Sequence, residues 1–166
     1  MNIFLDLEET VIDDIEHCRF LPVNVFKIKE FISCFPKATF ESFTFAIWNE
    51  IDKMRVEGVL FELEEQLDIK IKMQEWLPKD IRHQFVNETL FKVSDKEMLD
   101  FGAFANKQRC FEWFCKKFHS NERNILIDDT VETKRIIFRK SNLEIITINV
   151  NDINEFSLLE LGVTSL

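Results

Sequence analysis

The chain has 166 residues, 46 % of them hydrophobic and 31 % charged, with a formal net charge of −9. This length suits a single domain, residues 1–166, that buries a core without staples. The acidic surplus excludes a protein that coats DNA or RNA, because phosphate contacts need basic surface, although a local basic pocket for one phosphate remains compatible with it.

In chain order, Asn2-Ile3-Phe4-Leu5 is a short apolar run that reads as a first strand and leads straight into Asp6-Leu7-Glu8-Glu9-Thr10. Residues 11–22 read as a loop or short flap ending near Pro22. Val25, Ile28, Ile32 and Phe35 recur at three- and four-residue spacing, which predicts an amphipathic helix stopped by Pro36. Ala38 to Ile47 is aromatic and β-rich and reads as the second strand. Asn49 is a good N-cap for a helix running to Leu67, with Gly58 inside it. Ile69 to Lys72 is a short third strand.

Residues 75–105 then read as helical pieces. They exceed what a crossover needs and so form a small helical cover. Asn106 caps a helix in which Cys110, Phe111, Phe114 and Phe118 make a core stripe. Asn124-Ile125-Leu126-Ile127 forms a fourth strand ending in Asp128-Asp129. A helix around 132–140 and a fifth strand, Leu143 to Ile148, complete the pattern. Strand and helix alternate, so the expected fold is α/β: a three-layer Rossmann-like parallel sheet with helices on both faces and a small helical insertion.

Eighteen Phe beside no Tyr point to a Phe-packed core. Cys18, Cys34, Cys110 and Cys115 lack disulfide-framework or zinc spacing, and His17, His83 and His119 are scattered, so a zinc site is not expected. No apolar run spans a bilayer. A strand begins at residue 2, which leaves no room for a signal peptide. The expectation is a cytoplasmic protein with reduced thiols.

The chemistry-bearing residues fall at strand ends. Asp6 closes the first strand, and Asp128 and Asp129 close the fourth. Ligands of open α/β sheets gather outside the carboxyl ends of the strands, so in a parallel sheet these carboxylates converge at one edge. Clustered carboxylates repel one another unless a cation sits among them, and an all-oxygen set suits Mg²⁺.

Asp6-Leu7-Glu8-Glu9-Thr10 resembles the first motif of the haloacid dehalogenase-like hydrolase superfamily, Asp-x-Asp-x-Thr/Val after a strand. It matches at the first and fifth positions and carries Glu8 at the third, where the family has Asp. Asp128-Asp129 resembles the fourth, metal-binding motif. Thr44, with Ser42 as a rival, matches the Ser/Thr of the second strand. Lys107 matches the Lys before the fourth motif, ahead of Lys116 and Lys117, which fall at the end of their helix. The motifs run in family order across residues 3–129.

The resemblance implies an Mg²⁺-dependent phosphomonoester hydrolase working through an aspartyl-phosphate. Asp6 is then the nucleophile and Glu8 the acid–base. Thr44 and Lys107 hold the phosphoryl group, and Asp6, Glu8, Asp128 and Asp129 surround the metal. The small cover favours an open site that takes a small phosphorylated substrate, such as a nucleotide, or a phosphorylated polymer end. No extended nucleic-acid surface and no membrane partner are expected. Two other readings keep the acidic residues. One is a binding or regulatory protein of the same fold with impaired turnover, which the Glu8 departure favours. The other is a receiver-like phosphoacceptor, which the late position of the double Asp disfavours.

Overall fold

The computed structural model describes residues 1–47, 49–73, 84–86, 88 and 107–153. These form β1 (Asn2–Leu5), α1 (Pro22–Ser33), β2 (Thr39–Ser42), α2 (Glu50–Leu67), β3 (Ile71–Lys72), α3 (Lys107–Phe118), β4 (Arg123–Asp128), β5 (Lys134–Phe138) and β6 (Leu143–Asn149), followed by a 3₁₀ turn, Val150–Asp152. Of the expected cover over 75–105, only 84–86 and 88 are described, and these are helical. The rest of that segment, and the Asn106 cap, lie outside the described residues. The fold is a mixed α/β arrangement around one six-stranded, mostly parallel sheet.

The strand order is β3-β2-β1-β4-β6-β5. The central strands run parallel, with Leu5 in register with Ser42 on one side and Ile127 on the other. The carboxyl ends of β1, β2 and β4 therefore share one edge. Only β5 runs antiparallel, along β6. This corrects the helix expected over 132–140. Within β5, Arg135 and Ile137 are exposed while Ile136 and Phe138 are half-buried, an alternation of period two. Ile136 and Ile137 are β-branched, which favours a strand. A turn over 139–142 reverses the chain, with Asn142 in the left-handed region at φ 53°, a conformation that Asn tolerates.

Two other elements are shorter than their sequence spans. β2 stops at Ser42 because its neighbour β1 stops at Leu5, and the chain then turns, with the Thr44 hydroxyl accepting Ala46 N at 3.2 Å. Ile69 does not join β3. Its N–H donates to Glu64 O at 3.2 Å, closing α2 beyond Asp68, which sits in the left-handed region. The start of α2 follows its cap: Asn49 Oδ1 accepts from Ile51 N at 2.8 Å and Asp52 N at 3.0 Å.

Alternation along β1 sends its side chains into two core clusters. Ile3 and Leu5 pack with Val25, Ile28 and Phe31 of α1 and Val56, Leu60 and Leu63 of α2. Phe4 points to the other face, against Phe43 and against Phe111, Phe114 and Cys115 of α3. The Phe4 ring lies 5.1 Å from Phe111 and 5.8 Å from Phe114, both edge-on, an arrangement favoured by the ring quadrupoles. Truncating such a buried Phe costs about 3–5 kcal/mol. This packing seats the N-terminal turn of α3 above the carboxyl end of β1. Cys110 and Cys115 are buried in the same cluster and are not joined in a disulfide. Among the described residues no helix is long and apolar enough to cross a membrane.

Candidate functional site

Asp6 follows β1 directly, and its N–H donates to Ile127 O at 3.0 Å, which fixes it beside the end of β4. Lys107, the first residue of α3, extends its ammonium between two carboxylates. It pairs with Asp6 Oδ1 and, at 2.7 Å, with Asp128 Oδ2. The Phe45 ring lies 5.4 Å from the same ammonium, a cation–π contact. Asp6 and Asp128 are buried, and the Lys107 side chain is nearly so.

Thr10 ties the first acidic strand end to the second. Its hydroxyl lies 3.2 Å from Asp6 Oδ2 and 3.3 Å from Asp129 Oδ1, and it accepts Asp129 N at 3.0 Å. The 128–131 loop is fixed by further bonds. Thr130 donates from N at 2.7 Å and from Oγ1 at 2.6 Å to Asp128 Oδ1. Asn149 Nδ2 donates to Asp129 O at 2.6 Å and Val131 O at 3.1 Å.

One oxygen from each of Asp6, Asp128 and Asp129 lies within 4.8 Å of the others. Asp6 Oδ1 and Asp128 Oδ2 both face the Lys107 ammonium, and among the described residues neither has a further side-chain donor. Three hard oxygen ligands set against one ammonium form the kind of donor set that a hard divalent cation takes. The electrostatics agree with that shortage of positive charge. Burial pushes Asp6 up to about 6; Lys107 pulls it down and Asp128 adds to the rise. Burial and Asp128 also raise Asp129. Lys107 is raised: burial opposes its charge, but Asp6 and Asp128 outweigh that opposition.

The other residues singled out by the sequence fall as follows. Thr44 lies two residues past β2 at the same edge and is buried. Ser42 is in register with Leu5 and so faces the α1–α2 layer, away from the face of Phe4 and α3. Lys116 lies over Phe138, and Lys117 pairs with Glu88, so neither serves the strand ends. Glu8 is not among the three gathered carboxylates. Its Oε1 accepts Ile15 N at 3.2 Å, and its backbone bridges Ile12, which in turn bridges Phe20. Residues 8–20 thus form a short flap braced by Glu8. A second acidic grouping, Asp13, Asp14 and His17, lies on this flap, partly to fully exposed.

In the sequence Thr10 stands out only as a motif position. Thr130, Asn149 and Phe45 gave no signal of their own beyond, for Thr130, its place just after the double Asp. No family model, curated protein or solved structure matches the chain.

Proposed function

We propose that this protein is a phosphomonoester hydrolase of the haloacid dehalogenase-like type, with the sheet and its helices forming the three-layer Rossmann-like core of that superfamily. The observation that carries the reading is Lys107 lying between Asp6 and Asp128 at the shared carboxyl edge of β1 and β4. The order β2-β1-β4, with the first strand flanked by the second and fourth, supports it.

In this reading an Asp6 carboxylate oxygen attacks phosphorus in line, and the bond from phosphorus to the leaving oxygen breaks. The resulting aspartyl-phosphate is cleaved by water, which restores Asp6. Lys107, nearly buried and already beside Asp6, stabilises charge developing on the phosphoryl oxygens. Thr44 stands at the same edge to donate a hydroxyl to them. Asp6, Asp128 and Asp129 would hold Mg²⁺, which when bound neutralises the approach of two anions. Thr10 and Thr130 keep the acidic groups in place. Glu8 would protonate the leaving oxygen after releasing Ile15 N, a swing of the carboxylate within the flap.

Because that carboxylate braces the flap, a second reading deserves a test: the same fold used as a binding or regulatory protein with impaired turnover. Hydrolysis of p-nitrophenyl phosphate with and without Mg²⁺ separates the two. The expected outcome is slow, Mg²⁺-dependent turnover that Asp6→Asn abolishes and that Glu8→Gln lowers roughly 10²-fold or more. An inert wild type that regains turnover as Glu8→Asp selects the second reading. Turnover surviving in Asp6→Asn removes the covalent mechanism.

A further inference from the structure

Five of the seven large apolar side chains exposed among the described residues lie on α1 and α2. On α2, Ile51 is 63 %, Met54 70 % and Phe61 63 % exposed. With about 3.6 residues per turn, positions 51, 54, 58 and 61 fall in one stripe. That stripe is diametrically opposite Val56, Leu60 and Leu63, which fill the core. Position 58 is Gly58, and a Cβ there would meet nothing within 4 Å. The outward face of α2 is therefore apolar, with open space above Gly58 at its centre.

Beside α2, Lys29 Nζ of α1 donates to Gln66 O at 2.7 Å, and α1 exposes Val23 at 69 % and Phe26 at 64 %. Surface apolar residues scattered singly are ordinary, but an aligned set on one helix marks an interaction site.

The flanks of the stripe say what it fits. Glu50 and Glu57, both exposed, fall along one side. Glu62 and Arg55 fall along the other, and Glu65 closes the stripe at its C-terminal end. In an antiparallel two-fold contact the Glu50 and Glu57 flank meets its own like charge, and Arg55, which could meet Glu62 of the other copy, is already paired with Asp52, so the excess of acid disfavours a second copy. Anionic bilayers and nucleic acids are repelled in the same way. We infer that the outer face of α2 is a docking surface for an amphipathic helix of another protein whose apolar stripe is bordered by Lys or Arg. Apolar anchors along the partner helix would fill the stripe, one of them entering the open space above Gly58, while its cations pair with the acidic flanks.

The test uses the full-length protein and two labelled synthetic helical peptides of about 18 residues, long enough to hold a helix. Both carry Leu at three- and four-residue spacing; one has Lys on its flanks and the other Glu. Fluorescence anisotropy is expected to show binding of the Lys-flanked peptide that weakens with salt, and none of the Glu-flanked peptide. Met54→Ser combined with Phe61→Ser should weaken binding about tenfold or more, as loss of central apolar anchors does. Glu57→Lys should weaken it while leaving the apolar stripe intact. Both variants alter exposed side chains and should melt like the wild type. Equal affinity for the two peptides, no binding, or unchanged affinity in both variants overturns the inference. So does a wild-type dimer in sedimentation velocity that Phe61→Ser dissolves, because a second copy is then the occupant.

Discussion

The two ends of the same central strands bury polar groups in opposite ways. At the amino end, Asn2 and Asn124 are neutral amides with their hydrogen bonds made. Asn2 Nδ2 donates to Asn124 Oδ1 at 2.8 Å, and Asn2 Oδ1 accepts the Thr39 hydroxyl at 2.5 Å. Asn124 Nδ2 donates to His119 O and Glu122 O, each at 3.2 Å. At the carboxyl end, Asp6 and Asp128 are ionisable, close to one another, and among the described residues each has an oxygen set against the Lys107 ammonium without a further side-chain donor. One end satisfies its buried groups and locks register. The other leaves charge unbalanced, a state that folding alone gives no reason to keep.

The contrast makes measurable claims. The largest effect should come from Lys107→Met, which leaves the buried Asp6 and Asp128 carboxylates without their counter-charge. Losing one partner of such a cluster costs about 3–5 kcal/mol. Urea unfolding near neutral pH, with divalent cations removed, measures it, and a loss below about 1 kcal/mol would show the ammonium to be energetically idle there.

Asn124→Leu should cost about 1–3 kcal/mol, the penalty for stranding buried partners, and leave turnover per folded molecule unchanged. A fall in activity matching that of Asp6→Asn would erase the distinction between the two ends.

The smallest effect is the pH slope that Asp6 contributes at the carboxyl end. Asp6 holds its proton up to about pH 6 in the folded chain, against 3.8 in an unfolded one. The folded state therefore binds the extra proton at Asp6, and the Asp6 contribution to stability without divalent cations falls as pH rises from about 4 to 6. The expected decline is about 1–2 kcal/mol. Asp6→Asn should flatten it, whereas the neutral amides at the other end contribute no slope. Equal slopes for wild type and variant would contradict the burial of Asp6 beside Asp128.

Much of this could be read from the residues. β1, β4 and β6 carry apolar runs at their centres, Ile3-Phe4-Leu5, Ile125-Leu126-Ile127 and Ile145-Ile146, which is how strands covered on both faces appear. Asn49 announced the start of α2, and the carboxylates at two strand ends announced the edge where they meet. β5 was misread because its two Ile sit between Lys134-Arg135 and Arg139-Lys140, and that many charges in seven residues suit a solvated helix as well as an edge strand. What decides it is the pairing with β6, a tertiary contact that local spacing does not carry. Glu8 shows a different limit. Its position in the motif was visible, but whether its carboxylate turns towards Asp6 or towards Ile15 N depends on how the flap folds back, which no spacing rule reports.

The register of β1 against β4 also bears on how the chain assembles. Leu5 pairs with Ile127, 122 positions away, as do Asn2 and Asn124. β5 and β6, by contrast, are joined by the four-residue turn 139–142 and zip together locally. Contacts that close long loops form at greater entropic cost and set the pace of folding, while hairpins close early. Docking β1 against β4 is thus the late step, and it alone brings Asp6 to Asp128 and Lys107. Until then the carboxylates stay apart in water, and the early chain is spared their mutual repulsion.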